Sequence, residues 1–282
     1  MDKGTNAKLS ISGGTFTSNR ADGDKAMGGV IYNAGDSFTI TGGEFTGNYA
    51  YYRGGVMYIA SDNFEQIDIS SANFTGNSVD GVADQWHGGG VLYVQGTTVT
   101  GTEKKSNRVK IQDCMFENNE AKAVGNNNQT GCGGVIYNTN SYSLNIGTST
   151  FRNNSARLGG AIYIKSNMSL NDESIFENNV AYSCPDIYEN QGTIYMNGKV
   201  VANIGLNGSS KIQENNILKT GSDIKIRVIN TSSITDTGRV VVEYKTVDIM
   251  NANEDFFALD TNKMGAYELR FVDNKATVYK KQ

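Results

Sequence analysis

The chain has 282 residues, with 25 Lys and Arg against 29 Asp and Glu, 33 Gly and a single Pro. A net charge of −4 excludes the basic footprint of a nucleic-acid binder and gives little attraction to an anionic membrane. No stretch approaches the ~18 consecutive apolar residues of a transmembrane helix, and the first residues lack the apolar core of a signal peptide.

Taken in chain order, residues 9–16 match residues 38–45 position by position. This match opens a repeat. Phe-x-x-Asn recurs at Phe16 and Asn19, Phe45 and Asn48, Phe74 and Asn77, Phe116 and Asn119, Phe151 and Asn154, and Phe176 and Asn179. Gly-Gly-(Val/Ala)-aliphatic-Tyr alternates with it, ending at Tyr32, Tyr58, Tyr93, Tyr137 and Tyr163. A degenerate copy ends at Tyr188, with Pro185-Asp186 read in the place of the glycines. Phe-to-Phe steps are 29, 29, 42, 35 and 25 residues.

Alignment on Phe reveals further columns. Five residues before it stand Ile11, Ile40, Ile69, Ile111 and Ile146; in the sixth copy Leu170 slips to six before. Two before it stand the small residues Gly14, Gly43, Ala72, Cys114, Ser149 and Ser174, and five after it Ala21, Ala50, Val79, Ala121, Ala156 and Ala181. Short strands such as 37–41, 44–47 and 30–33, repeating at this period, predict the coils of a right-handed, single-stranded parallel β-helix. In such a stack equivalent residues lie above one another, so Phe packs on Phe and an inward Asn bonds the next Asn. The chain begins within a coil, which predicts an incomplete first coil with further coils upstream. Residues 1–192 read as the repeats, with about six motif-bearing coils. Residues 193–282 read as irregular last coils and a β-rich cap, with strands at 224–229 and 240–244 and a hairpin of 267–272 with 275–279.

The alternation of Gly-Gly-Ala-Ile with Phe-x-x-Asn resembles the repeat of the polymorphic outer membrane proteins of chlamydiae and related adhesin-like surface β-helices. Residues 151–163, Phe-Arg-Asn-Asn-Ser-Ala-Arg-Leu-Gly-Gly-Ala-Ile-Tyr, carry the closest copy. The resemblance covers about residues 9–190. It implies a cell-surface or secreted passenger segment acting in adhesion, whose partner is a glycan or protein of a host or neighbouring cell.

The chemistry of an enzyme is weakly represented. β-Helix polysaccharide lyases and glycoside hydrolases work with carboxylate clusters. This chain has His87-Gly88 but no Asp-Asp pair, and the column three before Phe holds only two acids, Asp113 and Glu173. The chain therefore reads as non-catalytic, with a lyase or hydrolase kept as an alternative and a passive stalk as another. No His or Cys spacing suggests zinc, and Asp22-Gly-Asp24 reads as a polar turn; no metal and no cofactor are expected. Cys132 and Cys184 read as sharing the slot before Gly-Gly, with Leu158 between, and Cys114 falls in the small column, so no disulfide is expected. The Thr column after Phe breaks at Glu117, which argues against an ice-binding array.

Insertions mark where a solenoid carries variation. Phe74 to Gly89 spans 15 residues and Phe116 to Gly133 spans 17. The excursions 80–87 and 122–131 leave the same corner of adjacent coils and should touch; 95–108 is a third excursion from another corner. Trp86, the only Trp, with Gln85, His87, Asn126, Asn127, Asn128 and Gln129, makes a candidate glycan site of one stacking ring among amides. The competing readings are that Trp86 folds onto its own coil, and that the Tyr column is an exposed binding ladder.

Overall fold

A computed structural model describes residues 8–35, 37–60, 66–81, 86–95, 109–125, 130–139 and 143–282. The fold is a parallel β-helix. A full coil contributes four short strands, as in Ser37–Ile40, Gly43–Thr46, Tyr49–Ala50 and Met57–Ile59. Three strand classes join one sheet of 24 strands, and the two- to four-residue class forms a separate six-stranded sheet.

Register follows the repeat columns. Ile11, Ile40, Ile69, Ile111 and Ile146 are paired in succession, and Ile146 then meets Leu170. Ser149 meets Ser174 in the same pair of coils, so the sixth coil accommodates one extra residue between these columns, near Asp172 at φ 55°. The six Phe rings stack with centroids 4.6–5.0 Å apart and interplanar angles of 5–14°. That spacing is the strand separation of a sheet, so the rings stack without distorting the backbone.

The Asn residues form the expected ladder. Each Nδ2 donates to the next Oδ1 at 2.8–3.0 Å, from Asn19 through Asn48, Asn77, Asn119 and Asn154 to Asn179. The same Oδ1 also accepts the backbone N–H of the preceding Asn, and each Nδ2 from Asn48 onward donates to a Phe carbonyl. The ladder thus satisfies backbone groups that a buried corner would otherwise leave unpaired. The residue before each Asn is left-handed: Ser18, Gly47, Gly76, Asn118, Asn153 and Asn178 all have φ of 52–64°. Gly and Asn pay least for that conformation, which explains the column.

The two glycines of each pair serve different needs. At Gly133 φ is +63°, whereas an added Cβ on Gly134 would lie 2.1 Å from the Gly160 carbonyl oxygen of the next coil. The sixth copy requires a correction of one residue. Ile162 pairs with Ile187 and Leu158 with Ser183, which aligns Cys184 and Pro185 with the glycine pair and Asp186 with Ala161. Cys184 adopts the left-handed φ of 60° found at the first glycine, so it does not share the slot of Cys132.

Parallel pairing runs across residue 192 without interruption. Thr193–Asn207, 15 residues long, pairs with both Met168–Glu177 and Ile187–Asn190. Asp223–Val228, Arg239–Tyr244 and Phe257–Leu259 continue the stack. The hairpin of Tyr267–Val272 and Lys275–Lys280 follows; its last strand pairs antiparallel with Arg239–Tyr244 and covers the end of the sheet. Asp273 and Asn274, both left-handed, make its turn. Two short helices, Val247–Asn253 and Thr261–Met264, are additions that the strand pattern does not foretell.

Candidate functional site

The excursions of coils three and four meet. His87 has no exposed surface, and its Nε2 lies 3.0 Å from both the Gly131 nitrogen and the Lys122 carbonyl oxygen. As an acceptor the ring takes the Gly131 N–H; as a donor it serves Lys122. Either tautomer ties the first excursion to the second. Gly81 leaves room for the ring, since a Cβ there would lie 1.9 Å from it. Outside, Lys122 Nζ is 2.7 Å from Asp80 Oδ1, and the Tyr49 hydroxyl donates to Asp80 Oδ2 at 2.9 Å. Lys122 and Tyr49 hold the Asp80 carboxyl below its ordinary range against the opposing pull of burial, and burial first, then Asp80, lifts the Tyr49 phenol to about 12. His87 is therefore an internal fastener, not a loop side chain offered to a ligand.

Trp86 lies on the Tyr column. Its ring centroid is 6.4 Å from that of Tyr137 and 5.8 Å from that of Tyr163, both tilted. Arg53 Nε and Nη2 donate to the Trp86 carbonyl at 3.1 and 2.9 Å, and Lys165 Nζ sits 4.4 Å from the indole centroid. The indole is half-buried. Trp86 thus seats on the tyrosines of the two following coils rather than on its own.

Of the two readings of the Tyr column, an exposed binding ladder or a cover over the coil, the ladder does not hold. The rings do stack, with centroids 4.6–5.5 Å apart, but only Tyr32, at 51% exposure, faces solvent. Tyr58, Tyr93, Tyr137, Tyr163 and Tyr188 form a second apolar cluster with Cys132, Leu158 and Cys184, flanked by Trp86 and Met27. Arg53 contributes to the cover, its guanidinium 4.8 Å from the Tyr93 centroid. Burial raises the phenol pKa values, to about 12 at Tyr188. The column ends because Tyr188 pairs with Gly205, where any Cβ would collide with Cys184 Sγ.

Of the remaining candidates, Gln85, Asn126, Asn127, Asn128 and Gln129 lie outside the described residues. Asp22 is engaged by Arg20, whose Nε and Nη2 donate to its carboxylate at 2.9 and 2.7 Å. Among the described residues, no group of three or more His, Cys, Asp or Glu is placed to hold a metal ion. Arg53 and Lys165, which touch Trp86, had no distinguishing signal in the sequence. Each occupies a column that varies from coil to coil.

Residues 148–165 match the family model of the Chlamydia polymorphic membrane protein (Chlamydia_PMP) repeat. The stretch contains the copy whose motifs carry the resemblance. No curated protein and no solved structure matches the chain. Among the described residues no helix is long and apolar enough to cross a membrane, which says nothing about a membrane-spanning β-barrel.

Proposed function

We propose that this β-helix is displayed at a cell surface or secreted, binds a glycan or protein of another cell, and is non-catalytic. The repeat match supports surface display. The observation that carries the binding reading is the joined patch at one corner of coils three and four. His87 welds the two excursions together, and Trp86 keeps part of its indole at the surface beside Lys165 and Tyr163. A rigid aromatic edge with a neighbouring ammonium is a preorganised recognition surface.

The test is glycan-array and cell-binding measurement with the chain and with Trp86→Ala, both checked by circular dichroism. Binding that disappears in the variant supports this patch; binding unchanged in the variant refutes it. A passive stalk is the second reading, favoured by the seating of Trp86 on Tyr137 and Tyr163. A stalk retains its function when residues 80–87 and 122–131 are shortened, whereas an adhesin using this corner does not.

A further inference from the structure

The six-stranded sheet ends before the larger one. Its last strand is Val180–Ser183, and the following long strand, Thr193–Asn207, belongs to the larger sheet alone. The coil cross-section changes there, and no further coil covers the outer side of that last strand. Val180 and Tyr182 consequently stand 64% and 79% exposed. Beside them lies a groove of about 370 Å³, lined by Glu120, Lys122, Ser155, Arg157 and Tyr182 with small alanines between.

The lining gathers polar groups around one ring, two of them held by neighbours. Arg157 Nη1 donates to the Gly125 carbonyl at 3.0 Å, and its guanidinium lies 5.8 Å from the Tyr182 centroid. Lys122 is held by Asp80 at 2.7 Å. Glu120 supplies acceptors, Arg157 and Lys122 supply donors, and Ser155 supplies both. The charges of Glu120, Asp80, Lys122 and Arg157 cancel. Sugars present an apolar C–H face that stacks on an aromatic ring, and a rim of hydroxyls that needs donors and acceptors together. The balanced charge favours a neutral sugar over a uronate or sialate.

We propose that this groove is a binding site for a neutral saccharide, with Tyr182 as the stacking platform and Glu120 and Arg157 as hydroxyl partners. It lies on the outer face of the six-stranded sheet, apart from Trp86, and takes Lys122 and Ala123 of its rim from the start of the second excursion. The test is a glycan array of neutral and sialylated glycans probed with the full chain, followed by calorimetric titration of any bound neutral glycan. Tyr182→Ala and Glu120→Gln are compared with Val272→Ala, an exposed control on the terminal hairpin. The expected result is binding of neutral glycans that weakens by about fivefold or more in both groove variants and not in the control. A smaller change in either groove variant, binding confined to sialylated glycans, or no glycan bound overturns the site. Loss in Trp86→Ala with Tyr182→Ala unaffected also overturns it, and leaves the excursion patch standing. With no glycan bound, the adhesin reading survives through a protein ligand.

Discussion

Asp186 Oδ1 accepts the Asn179 Nδ2–H at 2.8 Å, so the ladder of six asparagines ends on a carboxylate. Its Oδ2 accepts the Asn203 backbone N–H at 2.6 Å and Asn203 Nδ2 at 2.8 Å. The one side chain closes the repeat ladder and opens the hydrogen bonding of the next coil. Asp186→Ala leaves these donors without their acceptor in a buried place and should cost about 3 kcal/mol. Asn119→Ala, inside the ladder, should cost a similar amount, because Asn77 and Phe74 both lose a partner. Urea midpoints of the two variants measure this; a shift within error for either removes the ladder from the account of stability.

The two kinds of glycine predict different penalties. Gly134→Ala drives a Cβ to 2.1 Å from the Gly160 oxygen and 2.6 Å from the Ser155 oxygen, both backbone, and should destabilise by about 3 kcal/mol or more. Gly76→Ala meets nothing within 4 Å and carries only the left-handed strain of φ +64°, about 1 kcal/mol. Equal losses in denaturant titrations would show that close approach of coils is not what selects the second glycine.

Glu214 is buried beside Tyr244, its register partner in the next coil; neither carboxyl oxygen nor the Tyr244 hydroxyl has a hydrogen-bond partner among the described residues. Burial raises the Glu214 pKa to about 9 from an ordinary 4.5. The folded chain therefore holds a proton that the unfolded chain releases above pH 4.5. Stability is greatest below that value, declines as pH rises towards 9, and levels beyond it. Glu214→Gln removes this slope and should gain on the parent by about 3 kcal/mol between pH 4.5 and 7. Unfolding midpoints at pH 5, 7 and 9 measure it; a constant difference across that range would contradict the burial argument.

All three thiols are buried. Burial raises Cys114 to about 11 and Cys184 to about 12, and lifts Cys132 as well. A thiolate-specific reagent at pH 8 should modify none of them in the folded chain and three after unfolding in urea. Rapid reaction of Cys184 before unfolding would mean that the sixth corner opens in the native state.

The stack was legible because its residues recur at positions that pairing must superpose. A Phe or an Asn repeated in every copy lies above its equivalent once the coils pair, so the columns at Ile69, Phe74 and Asn77 announce register and core together. The same reading missed by one residue at Cys184, where Pro185 removes the glycine landmark and only the pairing of Ile162 with Ile187 restores the count. It read the terminal strands, including Tyr267–Val272, from alternation alone.

The solenoid, its Phe stack and its Asn ladder are written in the residues themselves, because these are local patterns multiplied by a repeat. The tertiary structure decided that the Tyr column lies inside, that His87 joins two excursions, that Asp186 terminates the ladder, and that Tyr182 stands at the end of the shorter sheet. Each of these depends on which segment covers an outward face. That cover comes from an insertion, or from the point where one sheet stops and the other continues, and neither recurs from coil to coil. Periodicity therefore says which residues stack, while the single, unrepeated packing event says which of the stacked residues still meet solvent.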